Sequence, residues 1–196
     1  MFGLPDNSKV DKQLPKTAIY AKFAMNTAER ERFDADISRM SIANVVDSRH
    51  IAEGNTVKSV FFLTVQLKRK EYDPKNIVNL AKLIGQNILF ALVFEDEVQM
   101  AVHCTRLVTS EWKPKEQVTI PLNGLNLDSV WDNIVATVGS ITIEGDNSVA
   151  EQIVADDTLA KLMKQIEQLE KKARAEKQPR KKLELFEKIK ELKQKL

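Results

Sequence analysis

The sequence predicts a mixed α/β (α+β) fold in which a mixed sheet with flanking helices is followed by a C-terminal helical hairpin or short coiled coil. Residues 58–95 show the pattern strand, helix, strand, which is typical of a βαβ unit. Apolar residues in 159–196 instead repeat at the alternating three and four spacing of packed helices. We therefore divide the chain into an extended N-terminal arm (1–16), an α/β body (17–145) and a C-terminal helical arm (148–196).

The central segment has the clearest pattern in the chain. Residues 59–68 are rich in β-branched and aromatic side chains, which favour a strand. Asp73 and Pro74 are typical of a helix start, and Gly85 of a helix end. The nearly unbroken apolar run at 88–94 predicts a strand that is buried on both faces. We therefore expect a crossing helix between two neighbouring strands of a buried sheet.

The N-terminal half predicts two further strands and one helix. Residues 17–23 favour a short strand. Asn26 and Glu29 have the spacing of a capping box, which predicts a helix over 26–40. We expect the next strand within residues 40–51.

The second half of the body predicts a hairpin, a short strand, a helix and an edge strand. An acidic turn leads from the central unit into a strand over 98–108. Residues 117–122 favour a further short strand. A well-marked amphipathic helix follows, with either Asn126 or Asp128 as its cap. Residues 141–143 favour one last edge strand.

Two amphipathic helices are expected in the C-terminal arm. The first has a heptad seam from Leu159 to Ala173, about two heptads long. Pro179 interrupts the pattern, because proline inside a helix removes a hydrogen bond and clashes with the preceding turn. Short isolated helices are marginal in water, so the seam must pack against the second helix, a second copy of the chain or another protein. The expected partner-binding residues are Leu162, Ile166, Leu169, Leu185, Ile189 and Leu192.

Charge is unevenly distributed along the chain. Residues 160–196 contain 13 Lys or Arg and 6 Glu, a net charge of +7, whereas the remainder contains 17 basic and 22 acidic residues, a net charge of −5. One interpretation is a solvated lysine-rich helix surface, and the other is a contact with nucleic acid or an acidic partner. The candidate nucleic-acid-binding residues are Lys171, Lys172, Arg174, Arg180, Lys181 and Lys182.

The sharpest catalytic hypothesis is a metal-dependent nuclease, but the pattern is incomplete. Such enzymes place an Asp on one strand and Glu-x-Lys on the next, because carboxylates hold Mg²⁺ and the lysine stabilises developing charge. Asp47, Gln66 and Lys68 occupy comparable positions here. Gln66 supplies a neutral carbonyl where a carboxylate is needed, so an inactive relative of the nuclease fold is favoured over an active nuclease, and we assign no catalytic residue.

Other site chemistries are not supported by the sequence. His103 and Cys104 are adjacent on an expected strand, so their side chains point to opposite faces and do not share a metal ion. No glycine-rich phosphate loop is present. We therefore expect no metal and no cofactor. The single cysteine, the short apolar runs and the N-terminal sequence favour a cytoplasmic protein without membrane contact.

Several stretches together resemble a bacterial and archaeal family built on a domain of unknown function, and the resemblance spans essentially the whole chain. The stretches are 13–16 with 18–23, 72–77, 110–112, 124–128 and 169–182. The resemblance implies no established activity and transfers no catalytic residue. Members of the family tend to be encoded near helicase-like and restriction–modification genes, including type III systems. This implies, by association, an accessory part in DNA restriction or phage defence.

We therefore expect a non-catalytic accessory protein that assembles through its C-terminal helices, either as a homodimer or on a helicase or restriction–modification enzyme. The alternative is a nucleic-acid-binding or degenerate nuclease-like subunit.

Overall fold

The computed structural model of the protein describes residues 2–142 and 148–194. These ranges form two compact units, a mixed α/β body and a pair of helices. The predicted fold class is therefore confirmed.

Among residues 2–142, seven strands form one sheet in the order β1-β2-β3-β4-β5-β6, with β7 beside β5. The β3–β4 pair is parallel, and the other pairs are antiparallel. The strands are β1 (Lys9–Leu14), β2 (Ile37–Asp47), β3 (Ser59–Leu67), β4 (Asn87–Phe94), β5 (Glu97–His103), β6 (Leu107–Thr109) and β7 (Lys113–Pro114). The helices are α1 (Lys16–Lys22), α2 (Thr27–Asp36), α3 (Pro74–Ile84) and α4 (Leu127–Gly139) in the body, then α5 (Val149–Ala175) and α6 (Pro179–Lys193).

The predicted βαβ unit is confirmed in its details. β3 and β4 pair in parallel, and α3 connects them. The Asp73 side chain caps α3 by accepting a hydrogen bond from the Lys75 N–H at 2.9 Å, and Pro74 is the first helical residue. Gly85 ends the helix in the left-handed conformation, with φ of 63°. This conformation strains residues that have a Cβ atom, which explains why glycine is favoured at this position.

Two N-terminal predictions were wrong in secondary structure. Residues 17–23 belong mostly to helix α1 instead of a strand. Ile19 and Phe23 lie four residues apart on one helix face and pack into the core, which stabilises the helical alternative. The capping box of Asn26 and Glu29 is confirmed, but α2 ends at Asp36. The expected helix over 26–40 is therefore four residues too long at its C-terminal end, since β2 has begun by then and pairs with β3.

The region after β4 also differs from the prediction. The expected strand over 98–108 is two short strands, because the chain reverses after His103 and β6 returns antiparallel to β5. Residues 118–122 form no strand, and Pro121 lacks the N–H that a sheet ladder would use. Ile141 and Thr142 are not in a strand either, and Ile143 lies outside the described residues.

The sheet carries helices on both faces. Apolar residues of α1, α2 and α3 form a core with alternate residues of β2, β3 and β4 on one face. The largest buried members of this core are Phe33, Leu63, Ile77, Leu80, Phe90 and Leu92. On the other face, α4 packs against β3, β5 and β6. Residues of β1 pair along β2, so the predicted N-terminal arm includes an edge strand of the sheet.

Asp128 anchors a loop to the start of α4. Asn126 is the helix cap and accepts a hydrogen bond from the Ser129 N–H at 3.0 Å. Asp128 instead accepts hydrogen bonds from the N–H groups of Val57 at 2.8 Å and Asn55 at 2.6 Å. These bonds, the Val57 bond first, lower the pKa of the Asp128 carboxyl. A Cβ on Gly54 would lie 2.2 Å from this carboxylate, so the close approach requires glycine.

The second unit is a helical hairpin. α5 begins at Val149 with a capping box of Ser148 and Glu151. Pro179 is the first residue of α6, where its missing N–H costs nothing. Ile166, Ala173 and Ile189 are buried between the helices, so the two seams pair within one chain.

A buried carboxylate connects three elements of the body. Asp36, the last residue of α2, has a side chain that is 1% exposed. One of its oxygens accepts from Arg69 Nε at 2.7 Å, and the other from the Asp73 N–H at 2.8 Å and Asn76 Nδ2 at 2.9 Å. Its backbone carbonyl accepts from the Lys68 N–H at 2.8 Å. Asp36 thereby ties the end of α2 to the β3–α3 connection and the first turn of α3.

We expect Asp36→Asn to lower the free energy of unfolding by about 2–4 kcal/mol, because an amide nitrogen would face donors that need an acceptor. Chemical denaturation of the full chain measures this change. Asp34→Asn is the matched control, since Asp34 lies on the same helix with a half-exposed ion pair to Lys16. We expect the control to cost about 1 kcal/mol or less. Equal losses for both variants would contradict the assigned role of Asp36.

Both tyrosines of the chain are held in the neutral form. The pKa of Tyr20 is raised to about 12. Burial is the larger cause, and the hydrogen bond that the Tyr20 hydroxyl donates to Asp34 at 2.6 Å is the second. Burial raises the pKa of Tyr72 to about 12, and its hydroxyl donates to Gln99 Oε1 at 2.8 Å. The sequence contains two tyrosines, so the folded protein lacks a tyrosine with the ordinary value.

We expect the tyrosine absorbance change near 295 nm to occur around pH 12 in the folded protein and around pH 10 in guanidinium. Because the folded pKa values are raised, the stability that the neutral tyrosines contribute is complete below about pH 10 and is lost as pH rises toward 12. Ionisation of half the tyrosine near pH 10 in the folded protein would show that one hydroxyl is solvated normally.

Candidate functional site

A polar cleft lies on the sheet face that carries α4, over the strand ends that the helix leaves uncovered. Its volume is about 480 Å³. β1, β2, β3 and β4 contribute its floor, and the segment before β1 contributes one wall. The lining residues are Leu4, Pro5, Asp6, Lys9, Asp11, Arg39, Ser41, Ala43, Asn44, Thr64, Gln66, Val93 and Lys115.

Four polar side chains form two cross-strand pairs on the cleft floor. Arg39 of β2 lies opposite Gln66 of β3, and Ser41 lies opposite Thr64. Directly opposed residues have Cβ atoms about 5 Å apart, so the four side chains form one polar patch. Gln66 Nε2 donates to the Val93 carbonyl at 3.2 Å, which fixes the amide group against β4.

Arg39 on the floor and Lys9 on the wall are two exposed cations of the cleft. Arg39 is exposed, and within residues 2–142 and 148–194 its guanidinium makes no hydrogen bond or ion pair. Lys115 at the rim is held differently, because its Nζ donates to the Glu95 carbonyl and lies 4.0 Å from Asp96. An arginine that is not neutralised by the protein is well suited to bind an anion with two parallel hydrogen bonds.

Hydrogen bonds fix the N-terminal wall of the cleft. Ser8 Oγ donates to the Pro5 carbonyl at 2.6 Å and accepts from the buried Asn44 Nδ2 at 2.8 Å. The register of β1 shifts between Lys9 and Lys12, and Asp11 within the bulge has φ of 51°. Bulges of this kind redirect side chains at the edge of a sheet. Asp6, Lys9 and Asp11 line the cleft from this wall.

The structure does not bring the three nuclease-like candidates together. Asp47 pairs with Ser59 at the far end of β3, seven residues from Gln66, which is about 23 Å along the strand. Hydrogen bonds from Arg49 lower the pKa of Asp47 to about 2. Lys68 follows the end of β3, and its charge acts on Asp34 of α2. Gln66 alone of the three lines the cleft.

The histidines and the cysteine form no common site in the described part of the chain. His50 lies 3.3 Å from Asp47, beside the turn that follows β2. Burial, together with the charge of Lys82, lowers the pKa of His103 at the end of β5. Cys104 is half-buried. Among residues 2–142 and 148–194, no group of three or more His, Cys, Asp or Glu side chains is arranged to hold a metal ion.

The predicted partner-binding residues face each other inside the hairpin. Ile166 and Ile189 are buried, and Leu162, Leu169, Leu185 and Leu192 pack around them. Of the alternatives left open by the sequence, the structure shows pairing within one chain. The expected use of these six residues for dimerisation would require the hairpin to open.

The basic charge of the hairpin is concentrated at its tip, residues 171–182. These twelve residues contain seven Lys or Arg and one Glu, a net charge of +6, compared with +7 for the whole of 160–196. All seven basic side chains are exposed. They include the six predicted candidates Lys171, Lys172, Arg174, Arg180, Lys181 and Lys182, together with Lys177. The six predicted nucleic-acid-binding residues therefore all lie, exposed, within the twelve residues of the hairpin tip.

A groove of about 490 Å³ runs beside the tip, between the end of α5 and the start of α6. Its lining residues include Lys172, Lys181 and Lys188, together with Glu176, Glu184 and the apolar Leu185. Lysines on both helices thus face the same groove.

The cations at the start of α6 are not explained by helix stability. Arg180, Lys181 and Lys182 occupy the first turn, which has no acidic residue and no side-chain cap. Positive charge at a helix N-terminus opposes the helix dipole. Arg180 has an exposed partner in Glu184 at 3.7 Å, which compensates little. A local preference that is violated at an exposed site favours a functional explanation.

Sequence reasoning identified Gln66 and missed the other floor residues of the cleft. A signal was present, because Arg39 and Ser41 on one strand, and Thr64 and Gln66 on the next, are polar at alternate positions. Without the register, the sequence did not show that these positions are opposed across β2 and β3.

Among residues 2–142 and 148–194, no helix is long and apolar enough to cross a membrane. A search of curated proteins and a search of solved structures found no match to the chain. A family model described as domain of unknown function (DUF4391) matches residues 2–196. The chain therefore belongs to this family of proteins of unknown function, as its resemblance to such a family predicted.

Proposed function

We propose that the chain is a non-catalytic accessory protein that binds nucleic acid through the basic tip of its C-terminal hairpin. The supporting observation is the net charge of +6 in residues 171–182, all of whose basic side chains are exposed. Lys and Arg side chains that neutralise phosphates release counterions from the nucleic acid, and this release favours binding without sequence specificity.

The rigid pairing of α5 and α6 supports this role. The buried contacts of Ile166, Ala173 and Ile189 hold the two helices together at the base of the tip. The ion pair of Lys193 with Glu170 at 2.8 Å adds a second connection. Charges on a fixed hairpin lose less conformational freedom on binding than charges on a free tail would.

An association with a DNA restriction–modification or phage-defence system belongs to the same proposal. It rests on the family resemblance, which implies proximity to helicase-like and restriction–modification genes. A hairpin that binds duplex phosphates would hold this accessory protein on the DNA on which such an enzyme acts.

Neutralising the start of α6 tests the proposal. We expect the triple variant Arg180→Gln, Lys181→Gln, Lys182→Gln to bind a fluorescein-labelled 20-bp duplex on the order of 100-fold more weakly than the parent at 0.1 M salt. Fluorescence anisotropy measures this, and the slope of log K against log salt should fall by about 0.9 for each lost phosphate contact. The hairpin should remain folded, because the substitutions remove an unfavourable interaction with the helix dipole.

The matched control removes the same charge outside the tip, through Lys161→Gln, Lys164→Gln and Lys190→Gln. These residues are exposed on the same two helices. We expect the control to keep most of the affinity. Equal weakening of both variants would show a diffuse charge effect, and an absence of binding by the parent at low salt would reject the proposal.

A second candidate, assembly of two copies, is supported by a different surface of the hairpin. Met163 and Phe186 are 57% and 49% exposed. Each lies seven residues before a member of the Glu170–Lys193 ion pair, so both are on the side of the hairpin that this pair bridges. Leu159 and Leu183 are also exposed and lie within one turn of them. Packing this apolar stripe against its copy would form a four-helix bundle, which is a common way to bury such faces.

Light scattering of the full chain tests this candidate. If the stripe mediates assembly, the parent should have twice the mass of the chain, 22.3 kDa, and the variant Met163→Glu, Phe186→Glu should be monomeric. Leu125→Glu is a suitable control, because Leu125 is a 94% exposed leucine outside the hairpin. A monomeric parent would reject assembly and leave nucleic-acid binding unaffected.

A further inference from the structure

We propose that the polar cleft of the body binds a nucleoside monophosphate, with the phosphate on Arg39 and the sugar or base on the N-terminal wall. The cleft is lined by residues between Leu4 and Lys115, and none of its lining residues belongs to the hairpin. This site is therefore independent of the nucleic-acid binding proposed above.

Arg39 and its neighbours favour an anionic group. The guanidinium has no partner among the described residues, and the Ser41 and Thr64 hydroxyls lie on the same patch of floor. Lys9 and Lys115 add positive charge at the wall and rim. A guanidinium with nearby hydroxyl donors matches the three terminal oxygens of a phosphate monoester, which accept several hydrogen bonds.

The carboxylates of the cleft favour hydrogen-bond donors in the same ligand. Asp6 and Asp11 are exposed on the N-terminal wall and accept hydrogen bonds when ionised. A purely anionic ligand would be repelled by them, whereas sugar hydroxyls or exocyclic amino groups would donate to them. The ligand should therefore combine one anionic end with a neutral end that carries donors.

Size and apolar surface agree with a mononucleotide. The volume of about 480 Å³ lies within the range of sites that enclose small organic ligands, about 300–1,000 Å³. Leu4, Pro5, Ala43 and Val93 supply apolar lining against which a flat base can pack. The wall is held in advance by the Asn44–Ser8–Pro5 hydrogen bonds, so little ordering is needed on binding.

The chemistry of the floor also explains an exception in the sheet. On the cleft face of β3, Val60 and Phe62 are buried, but the next two residues on that face are Thr64 and Gln66. A strand in the middle of a sheet with helices on both faces is expected to be apolar throughout. The polar half of β3 is the half that lines the cleft, which α4 leaves uncovered.

Calorimetric titration of the full chain with AMP, GMP, CMP and UMP tests the inference. We expect at least one of the four to bind, and Arg39→Gln to weaken that binding by about tenfold or more, because a charged hydrogen-bonding partner is lost. Arg32→Gln is the matched control, since Arg32 is an exposed arginine on α2 outside the cleft, and it should leave the affinity unchanged. Arg39 is itself exposed, so its substitution should not unfold the protein; a thermal melt verifies this.

Two further ligands and one further variant decide between the alternatives. Inorganic phosphate and the free nucleoside should each bind more weakly than the nucleotide, because each occupies half of the site. Phosphate that binds as tightly as the nucleotide would overturn the inference in favour of a simple oxyanion site. Loss of nucleotide binding in the hairpin variant Arg180→Gln, Lys181→Gln, Lys182→Gln would overturn it by placing the ligand on the hairpin. Binding of none of the four nucleotides would overturn it outright.

Discussion

The buried Asp36 carboxylate is the interaction on which the arrangement of the body depends. It lies at the end of α2. It accepts hydrogen bonds from Arg69 and Asp73 in the β3–α3 connection and from Asn76 in the first turn of α3. A buried charge is tolerated only when its oxygens are hydrogen-bonded, and here both accept. Because α2 and α3 cover the same face of the sheet, this one residue links the helix that precedes β2 to the helix that follows β3. In the register of the two strands, Arg39 lies opposite Gln66.

The opposite face of the sheet shows what the helices leave over. α4 covers the apolar part of that face, and the Asp128 bonds to the 55–57 loop fix the start of the helix. The uncovered part carries the polar side chains of Arg39, Ser41, Thr64 and Gln66, and the wall built by Ser8 and Asn44 turns it from an open surface into a cleft. The cleft thus lies on the sheet face that α4 covers only in part, and no residue of α4 lines it.

Local signals in the sequence predicted much of this fold, and the pairing of distant strands decided the rest. The central βαβ unit, the Asn26–Glu29 capping box and the break at Pro179 follow from short-range chemistry, and the structure has all three. Residues 37–40 match a helical spacing but belong to β2, because pairing with β3 buries Ile37 and Met40. The buried role of Asp36 does not follow from local sequence, since the donors to its side chain come from 33 to 40 positions further along the chain. The cleft was missed for the same reason, because its floor exists only once the register is known.

The distribution of charge separates the two proposed ligands physically. Residues 160–196 carry a net +7, whereas residues 1–143 contain 17 basic and 17 acidic residues and have no net charge, so a long polyanion would be attracted to the hairpin rather than to the body. At 0.1 M salt, electrostatic interactions extend about 10 Å, so the charge of the tip acts on the phosphates that lie close to it. The mononucleotide proposed for the cleft would interact mainly with Arg39 and its immediate neighbours. In these two proposals a long nucleic acid therefore binds where the positive charge is concentrated, at the hairpin tip, and the body, which has no net charge, offers one small phosphate site in the cleft.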